Sequence, residues 1–239
     1  MRVLVTAGPT REFIDPVRFL SNPSTGRMGF AVARAARAAG HDVTLVAGPV
    51  AQRTPNGVRR IDVVSAREML AAVENERFDC FIATAAVADW RPARTSGRKL
   101  KKTEMDGSLK LVRNPDILKA VSARLRRRAG ATRPVFVGFA AETGDPTAEA
   151  VRKCREKGLD LVVANDVTAA DSGFGTATNR VSFVWPDGRV ERLPVLSKDA
   201  VARRIVRAIA ALRCTRCSYV TSYSTEAREE LACLHGRKA

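Results

Sequence analysis

Between a strand-like opening at residues 2–7 and a helical run from Arg27 lies the stretch Ser21-Asn22-Pro23-Ser24-Thr25-Gly26-Arg27-Met28-Gly29. Hydroxyl, amide and glycine residues gathered there offer hydrogen-bond donors and a pliable backbone at the mouth of a helix. Unpaired N–H groups and the positive end of the helix dipole favour an anion at such a place. The chemistry on offer is the holding of a phosphate or a carboxylate. An ordinary capped helix start, with Ser24, Thr25 and Gly26 closing the first turn, is the alternative. Other chemistry-bearing residues fall at the ends of apolar runs: Gly8, Ala85 to Asp89, Phe139 to Thr143, and Asn165-Asp166.

The elements that must position these residues follow from hydrophobic periodicity. Apolar strand-like runs occupy 3–7, 42–47, 61–64, 81–86, 135–139 and 161–164, with a short one at 109–112. Helical patterns fill 28–39, 66–76, 116–128, 146–157 and 198–212, the first stopped by Gly40. Residues 10–18 and 93–106 are expected as loops, the second polar, basic and mobile. Two runs at 181–185 and 190–193 flank Pro186-Asp187-Gly188, a hairpin signal. The alternation predicts an α/β fold: a Rossmann-like parallel sheet flanked by helices on both faces, with a small antiparallel hairpin near the C-terminus. Ligands in such sheets bind beyond the carboxyl ends of the strands, where the residues above converge. Residues 1–213 read as one domain and 214–239 as a tail.

Composition narrows the function. The net charge is +16, of which residues 214–239 contribute +1 from four Lys/Arg and three Asp/Glu. A body at +15 suits nucleotides and phosphorylated metabolites, although solvated arginines on helix faces, such as Arg124, Arg126, Arg127 and Arg128, account for much of it. No aromatic-rich RNA-binding signature appears, so nucleic acid is not expected as a partner. No apolar run is long enough for a membrane span and no secretory leader fits, and the five cysteines are scattered; cytoplasm is expected. A nicotinamide enzyme is disfavoured. The first turn lacks Gly-x-Gly-x-x-Gly, and the second strand ends in Val46-Ala47-Gly48 without an acidic residue for a ribose.

The ordered motifs Val5-Thr6-Ala7-Gly8-Pro9-Thr10-Arg11-Glu12, Ile14-Asp15-Pro16-Val17-Arg18, Ser21-Asn22, Met28-Gly29-Phe30, Ala85-Ala86-Val87-Ala88-Asp89, Lys99-Leu100-Lys101-Lys102, Asn114-Pro115-Asp116-Ile117, Gly138 to Thr143 and Ala164-Asn165-Asp166 resemble the phosphopantothenoylcysteine synthetase (phosphopantothenate–cysteine ligase) family. The resemblance runs from about residue 2 to residue 212. It implies ligation of 4′-phosphopantothenate to L-cysteine through an acyl cytidylate, with CTP as co-substrate, Mg2+ or a similar divalent metal of unknown ligands, and a homodimer. By the same resemblance Asn22 holds the acyl nucleotide and Lys99 belongs to a flap that closes over it. Asp89, Asn114, Pro115, Asp116, Ile117, Phe139, Lys153 and Lys157 match nucleotide-contacting positions, and Gly8, Asn22, Ala85 and Ala86 match the phosphopantothenate or intermediate site. A helix that follows a parallel strand runs away from the ligand edge, which counts against Lys153 and Lys157. The alternative function is a non-catalytic nucleotide- or nucleic-acid-binding module on the same fold.

Three departures from the family pattern stand out. Arg27 occupies the position of a lysine, keeping the charge but changing the geometry of any contact. The flavin-dependent decarboxylase half often fused to this family does not accompany the chain, so no flavin is expected and a decarboxylase would be a separate chain. Cys214, Cys217, Cys233 and His235 could bind zinc, although a loose tail is the simpler reading.

Overall fold

β1 (Arg2–Ala7) is buried along most of its length, with Val3 and Val5 facing one core and Leu4 the other. A strand covered on both faces needs helices above and below it. A computed structural model describes residues 1–104, 107–126, 133–142, 147–166 and 175–213. After β1 comes a two-stranded antiparallel ribbon, β2 (Arg11–Phe13) with β3 (Phe19–Ser21), and then α1 (Arg27–Ala38). Next are β4 (Asp42–Ala47), β5 (Arg59–Asp62), α2 (Ala66–Asn75) and β6 (Cys80–Ala83). A second ribbon pairs β7 (Trp90–Pro92) with β8 (Leu111–Arg113) ahead of α3 (Ile117–Arg126). β9 (Val135–Glu142), α4 (Thr147–Lys157) and β10 (Leu161–Asp166) follow. β11 (Thr178–Asn179), β12 (Val181–Val184), β13 (Val190–Arg192) and β14 (Leu196–Ser197) precede α5, residues 198–213.

The main sheet runs β13-β12-β10-β9-β6-β1-β4-β5. It is parallel from β5 to β10 and gains an antiparallel edge in β12 and β13. From β1 the chain builds outward through β4 and β5 on one side, and through β6, β9 and β10 on the other. The carboxyl ends of β1 and β6 are therefore the switch point of the topology, where crevices open in such sheets.

Each face of the sheet has its own core. Phe30 and Val32 of α1 and Val201, Ile205 and Ile209 of α5 pack on one face with Val5, Leu45 and Ile82. Met69 and Val73 of α2, Val121 of α3 and Cys154 of α4 pack on the other with Leu4, Phe81 and Phe136. Each such buried side chain contributes about 1.5–3 kcal/mol of transfer free energy.

Several expected boundaries move. Residues 10–18 were expected as a loop, yet they contain β2, a strand too short to show a period. The strand expected at 61–64 lies at Arg59–Asp62, where it pairs with β4. The run expected through Ala86 leaves the strand after Ala83, and Ala86 instead bridges Pro9. The expected hairpin forms, but as the edge of the main sheet rather than apart from it. The tail, its four candidate zinc ligands, Thr143, Arg127 and Arg128 lie outside the described residues.

α1 reaches the switch point because Gly29 lets it sit close. A Cβ there would lie 2.4 Å from both the Ala7 Cβ and the Thr84 Oγ1. Gly29→Ala should therefore push the helix off the sheet and cost about 1–3 kcal/mol, read as a lower urea midpoint at unchanged slope. An unaltered midpoint would show that some other contact sets this spacing.

Candidate functional site

Loops from separate parts of the chain are stitched together above the switch point. Ala86 N–H donates to the Gly8 carbonyl at 2.9 Å, and Ala88 N–H to the buried Thr10 hydroxyl at 3.0 Å. Gly8 makes the turn possible with a φ of 78°. Ser21 donates to the Thr10 carbonyl at 2.8 Å, and the Asn22 side-chain amide donates to the Ala86 carbonyl at 3.1 Å. An amide nitrogen carries two protons, so this bond fixes Asn22 while leaving the second N–H available.

Two cavities flank this seam. The larger, about 420 Å3, is lined by Asn22, Asp89, the segment 114–117, Lys153 and Lys157. The smaller, about 130 Å3, opens against the first turn of α1 and is lined by Ser24, Thr25, Gly26, Asn165, Asn179 and Lys198. Ala85, Ala86, Phe139 and Ala141 belong to the walls of both.

Most of the expected nucleotide-contacting residues, Asp89, Asn114, Pro115, Asp116, Ile117, Phe139, Lys153 and Lys157, therefore share one cavity. The objection to the α4 lysines does not hold, because helical side chains lean back toward the N-terminus and these two reach the cavity wall. Lys157 pairs with Asp116 at 2.7 Å, and Lys153 with Glu149 at 3.6 Å. Asp116 also accepts the Lys119 N–H at 3.0 Å, capping α3. Asn114 is a clip between loops. Its amide donates to the Ala88 carbonyl at 2.8 Å, and its oxygen accepts from Arg91 at 3.1 Å. Gly8 and Lys99 line neither cavity: Gly8 shapes the backbone behind the wall, and Lys99 is exposed.

The stretch around Lys99 is tethered. Asp15, whose side chain is fully buried, accepts the N–H groups of Val17 and Arg18, both at 2.9 Å, and that of Leu100 at 3.2 Å. Arg18 grips the same carboxylate and donates to the Leu100 carbonyl at 3.0 Å. Ser96 N–H reaches the Ile14 carbonyl at 2.9 Å. The Arg18 guanidinium holds the Asp15 carboxyl far below the usual carboxylate range, against the opposing effect of burial and with help from the three backbone N–H groups.

Among the described residues no three His, Cys, Asp or Glu side chains gather as a metal cage, and no helix is long and apolar enough to cross a membrane. Asn179 and Lys198 escaped the sequence reading. Lys198 carried one signal, a cation in the first turn of a helix, where the dipole opposes it.

A depressed carboxyl contributes stability that is full above the unfolded pKa, near 4, and is lost as pH falls toward the folded value. Asp15→Asn should thus lower the urea midpoint clearly at pH 7, and the gap to wild type should narrow steadily below pH 4. A gap independent of pH would mean that the carboxylate charge is not what holds the tether.

The family model for the DNA/pantothenate metabolism flavoprotein C-terminal domain matches residues 1–212. The coenzyme A biosynthesis bifunctional protein CoaBC of Vibrio vulnificus (strain YJ016) is 47% identical over 214 residues, covering 88% of this chain and 52% of the relative. Its counterpart in Escherichia coli K12 is 43% identical over 211 residues, covering 86% and 50%. The crystal structure of the C-terminal domain of a CoaBC protein superposes with a TM-score of 0.73 at 39% identity, covering 88% of this chain and 94% of that one. The chain spans about half the length of these bifunctional relatives. It belongs to the family of the DNA/pantothenate metabolism flavoprotein C-terminal domain.

Proposed function

We propose that this chain is a cytoplasmic phosphopantothenate–cysteine ligase of coenzyme A biosynthesis, working through an acyl cytidylate. The observation that carries the reading is the pair of cavities sharing one wall, with Asn22 fastened at the seam. One cavity holds the nucleotide and the other the acyl substrate, so the two reacting groups meet over Ala85 and Ala86. A carboxylate oxygen of 4′-phosphopantothenate attacks the α-phosphorus of CTP, the bond to the bridging oxygen breaks and pyrophosphate leaves. The cysteine amine then attacks the acyl carbon, loses a proton and expels CMP.

Within this scheme Lys153 and Lys157 hold the triphosphate by leaving Glu149 and Asp116, and the free N–H of Asn22 donates to the acyl oxygen as charge develops. Asp89 and Phe139 address the ribose and base. Asp89 and Asp116 suit a divalent cation that keeps phosphate oxygens and water in its shell, and such an ion would neutralise charge on the departing pyrophosphate. Lys99 takes part only after the stretch that carries it closes over the larger cavity. A decarboxylase supplies the companion activity, fused in the longer relatives or on its own chain.

The relevant assay follows pyrophosphate with each triphosphate in turn, with and without cysteine. Release should require both CTP and 4′-phosphopantothenate, and amide formation should require cysteine. Asn22→Ala should slow aminolysis roughly 10²- to 10³-fold, so that acyl cytidylate accumulates in mass spectra. Loss of pyrophosphate release instead would move Asn22 to the first half-reaction, and turnover indifferent to 4′-phosphopantothenate would end the ligase reading.

A homodimer is proposed on the exposed apolar residues Val17, Phe19, Trp90 and Leu111, which sit on or beside two contacting ribbons. Trp90→Glu should shift the sedimentation-equilibrium mass toward the monomer. A wild-type chain that is already monomeric at micromolar concentration would remove the proposal.

A further inference from the structure

The smaller cavity contains two side chains to which the scheme above gives no task. Asn179 and Lys198 are brought together by the ribbon of β11 and β14. Asn179 faces Leu196 in that pairing, and Lys198 N–H donates to the Ala177 carbonyl at 3.1 Å. Lys198 is only 8% exposed, and its backbone opens α5. Three things oppose a cation there: burial, the nearby charge of Arg27, and the positive end of the α5 dipole. The first two push the Lys198 pKa down, in that order.

Arg27 opens α1 on the same cavity, held by a bond from its guanidinium to the Gly175 carbonyl at 2.6 Å. The N-terminus of α1 has no side-chain cap and no acidic residue in its first turn. None of the described residues lining the cavity is acidic. Two basic residues and two helix N-termini thus meet around one small space.

Asn179 supplies an independent sign that a ligand belongs there. It is 4% exposed, and its amide nitrogen donates weakly to the Met28 sulfur at 3.6 Å. Its buried Oδ1 has no hydrogen-bond partner. An acceptor left in that condition is destabilising, and a molecule presenting an O–H or N–H would relieve it.

We propose that Lys198 and Asn179 form the phosphate end of the acyl-substrate site: Lys198 and the N-terminus of α1 bind the phosphate, and Asn179 Oδ1 accepts a hydroxyl of the same molecule. This assignment rests on the ligase reading. A phosphate monoester carries about −1.5 to −2 at neutral pH and so answers two cations, where a carboxylate would answer one. Seating the phosphate here leaves the carboxylate of the substrate for the shared wall, where the nucleotide waits.

The test uses the full chain with Lys198→Gln, Lys198→Arg and Asn179→Asp. Binding of 4′-phosphopantothenate and of unphosphorylated pantothenate is measured by calorimetry, and KM for each substrate by pyrophosphate or amide formation. Lys198→Gln should weaken 4′-phosphopantothenate roughly 10- to 100-fold and leave pantothenate unchanged, collapsing the preference for the phosphorylated acid. Lys198→Arg should retain most of that preference, which separates lost charge from lost folding. Asn179→Asp should weaken the phosphorylated ligand by repulsion. An undiminished preference in Lys198→Gln overturns the assignment, as does a KM increase confined to cysteine, which would give the site to the carboxylate of the amino acid. Calorimetric binding without any pyrophosphate release would sink the ligase reading alone, and the binding ratios would still decide the phosphate site.

Discussion

The close seat of α1 on the sheet governs the geometry of the whole site. With hydrogen alone at position 29, the helix lies against Ala7 and Thr84, at the ends of the two strands between which the topology reverses. Its N-terminus is thereby carried over the only part of a parallel sheet where neighbouring loops diverge and leave room. A helix displaced outward by a methyl group would separate Ser24 to Arg27 from the segment 84–86 that forms the opposite wall. The fold therefore places an unsatisfied set of N–H groups, a turn of small residues and a shared wall in one region, before any specific side chain is considered.

Charge is arranged differently in the two cavities, and the difference matters more than the total of +16. Many arginines lie in exposed pairs such as Arg2 with Asp79 and Arg152 with Glu149 and Glu156, and pairs of that kind contribute only about 0–1 kcal/mol each. In the larger cavity Lys157 and Lys153 already have carboxylate partners. They can exchange those partners for phosphate oxygens with little change in net desolvation, which suits a nucleotide that must also leave. The smaller cavity has Arg27 and Lys198 and no acidic residue among its described lining. A site that repels itself when empty favours an anion strongly once the anion arrives.

Much of this was legible in the chain itself, and the reasons are local. β1, β4 and α1 declare themselves through unbroken apolar runs, a helical period and Gly40, and their bounds match within a residue. β2 and β3 are three residues each, too short for any period, and their pairing depends on a turn closed by Asp15. The edge formed by β12 and β13 was visible as a hairpin but not as part of the sheet, because alternation states which face is buried and not which strand lies alongside. Asp89, Asn114 to Ile117 and Phe139 were grouped in advance because each follows or adjoins a strand end. Asn179 and Lys198 were not, since a two-residue ribbon brings them to the cavity and nothing in their flanking residues announces it.

Lys99 and Asn22 show how the same kind of expectation meets different physical limits. Asn22 hangs from the Ala86 carbonyl, on the wall itself, so its free N–H is oriented before any substrate binds. Lys99 lies between two fastenings, Ser96 to Ile14 and Leu100 to Asp15, and only Gly97, Arg98 and Lys99 separate them. Arg98 is further committed to Glu104 through two bonds, at 3.0 and 2.9 Å. A swing of the lysine side chain alone leaves these contacts intact, whereas a larger closure must either break the buried Asp15 cluster or move the β2–β3 ribbon with it. The second course costs less, because the cluster is internal to the ribbon and the stretch it holds, and a carboxylate bound by an arginine and three N–H groups is a poor hinge. Any closure over the larger cavity is therefore a motion of the ribbon and the Lys99 stretch as one body, with its bending confined to the segments that join that body to β1, α1 and β7.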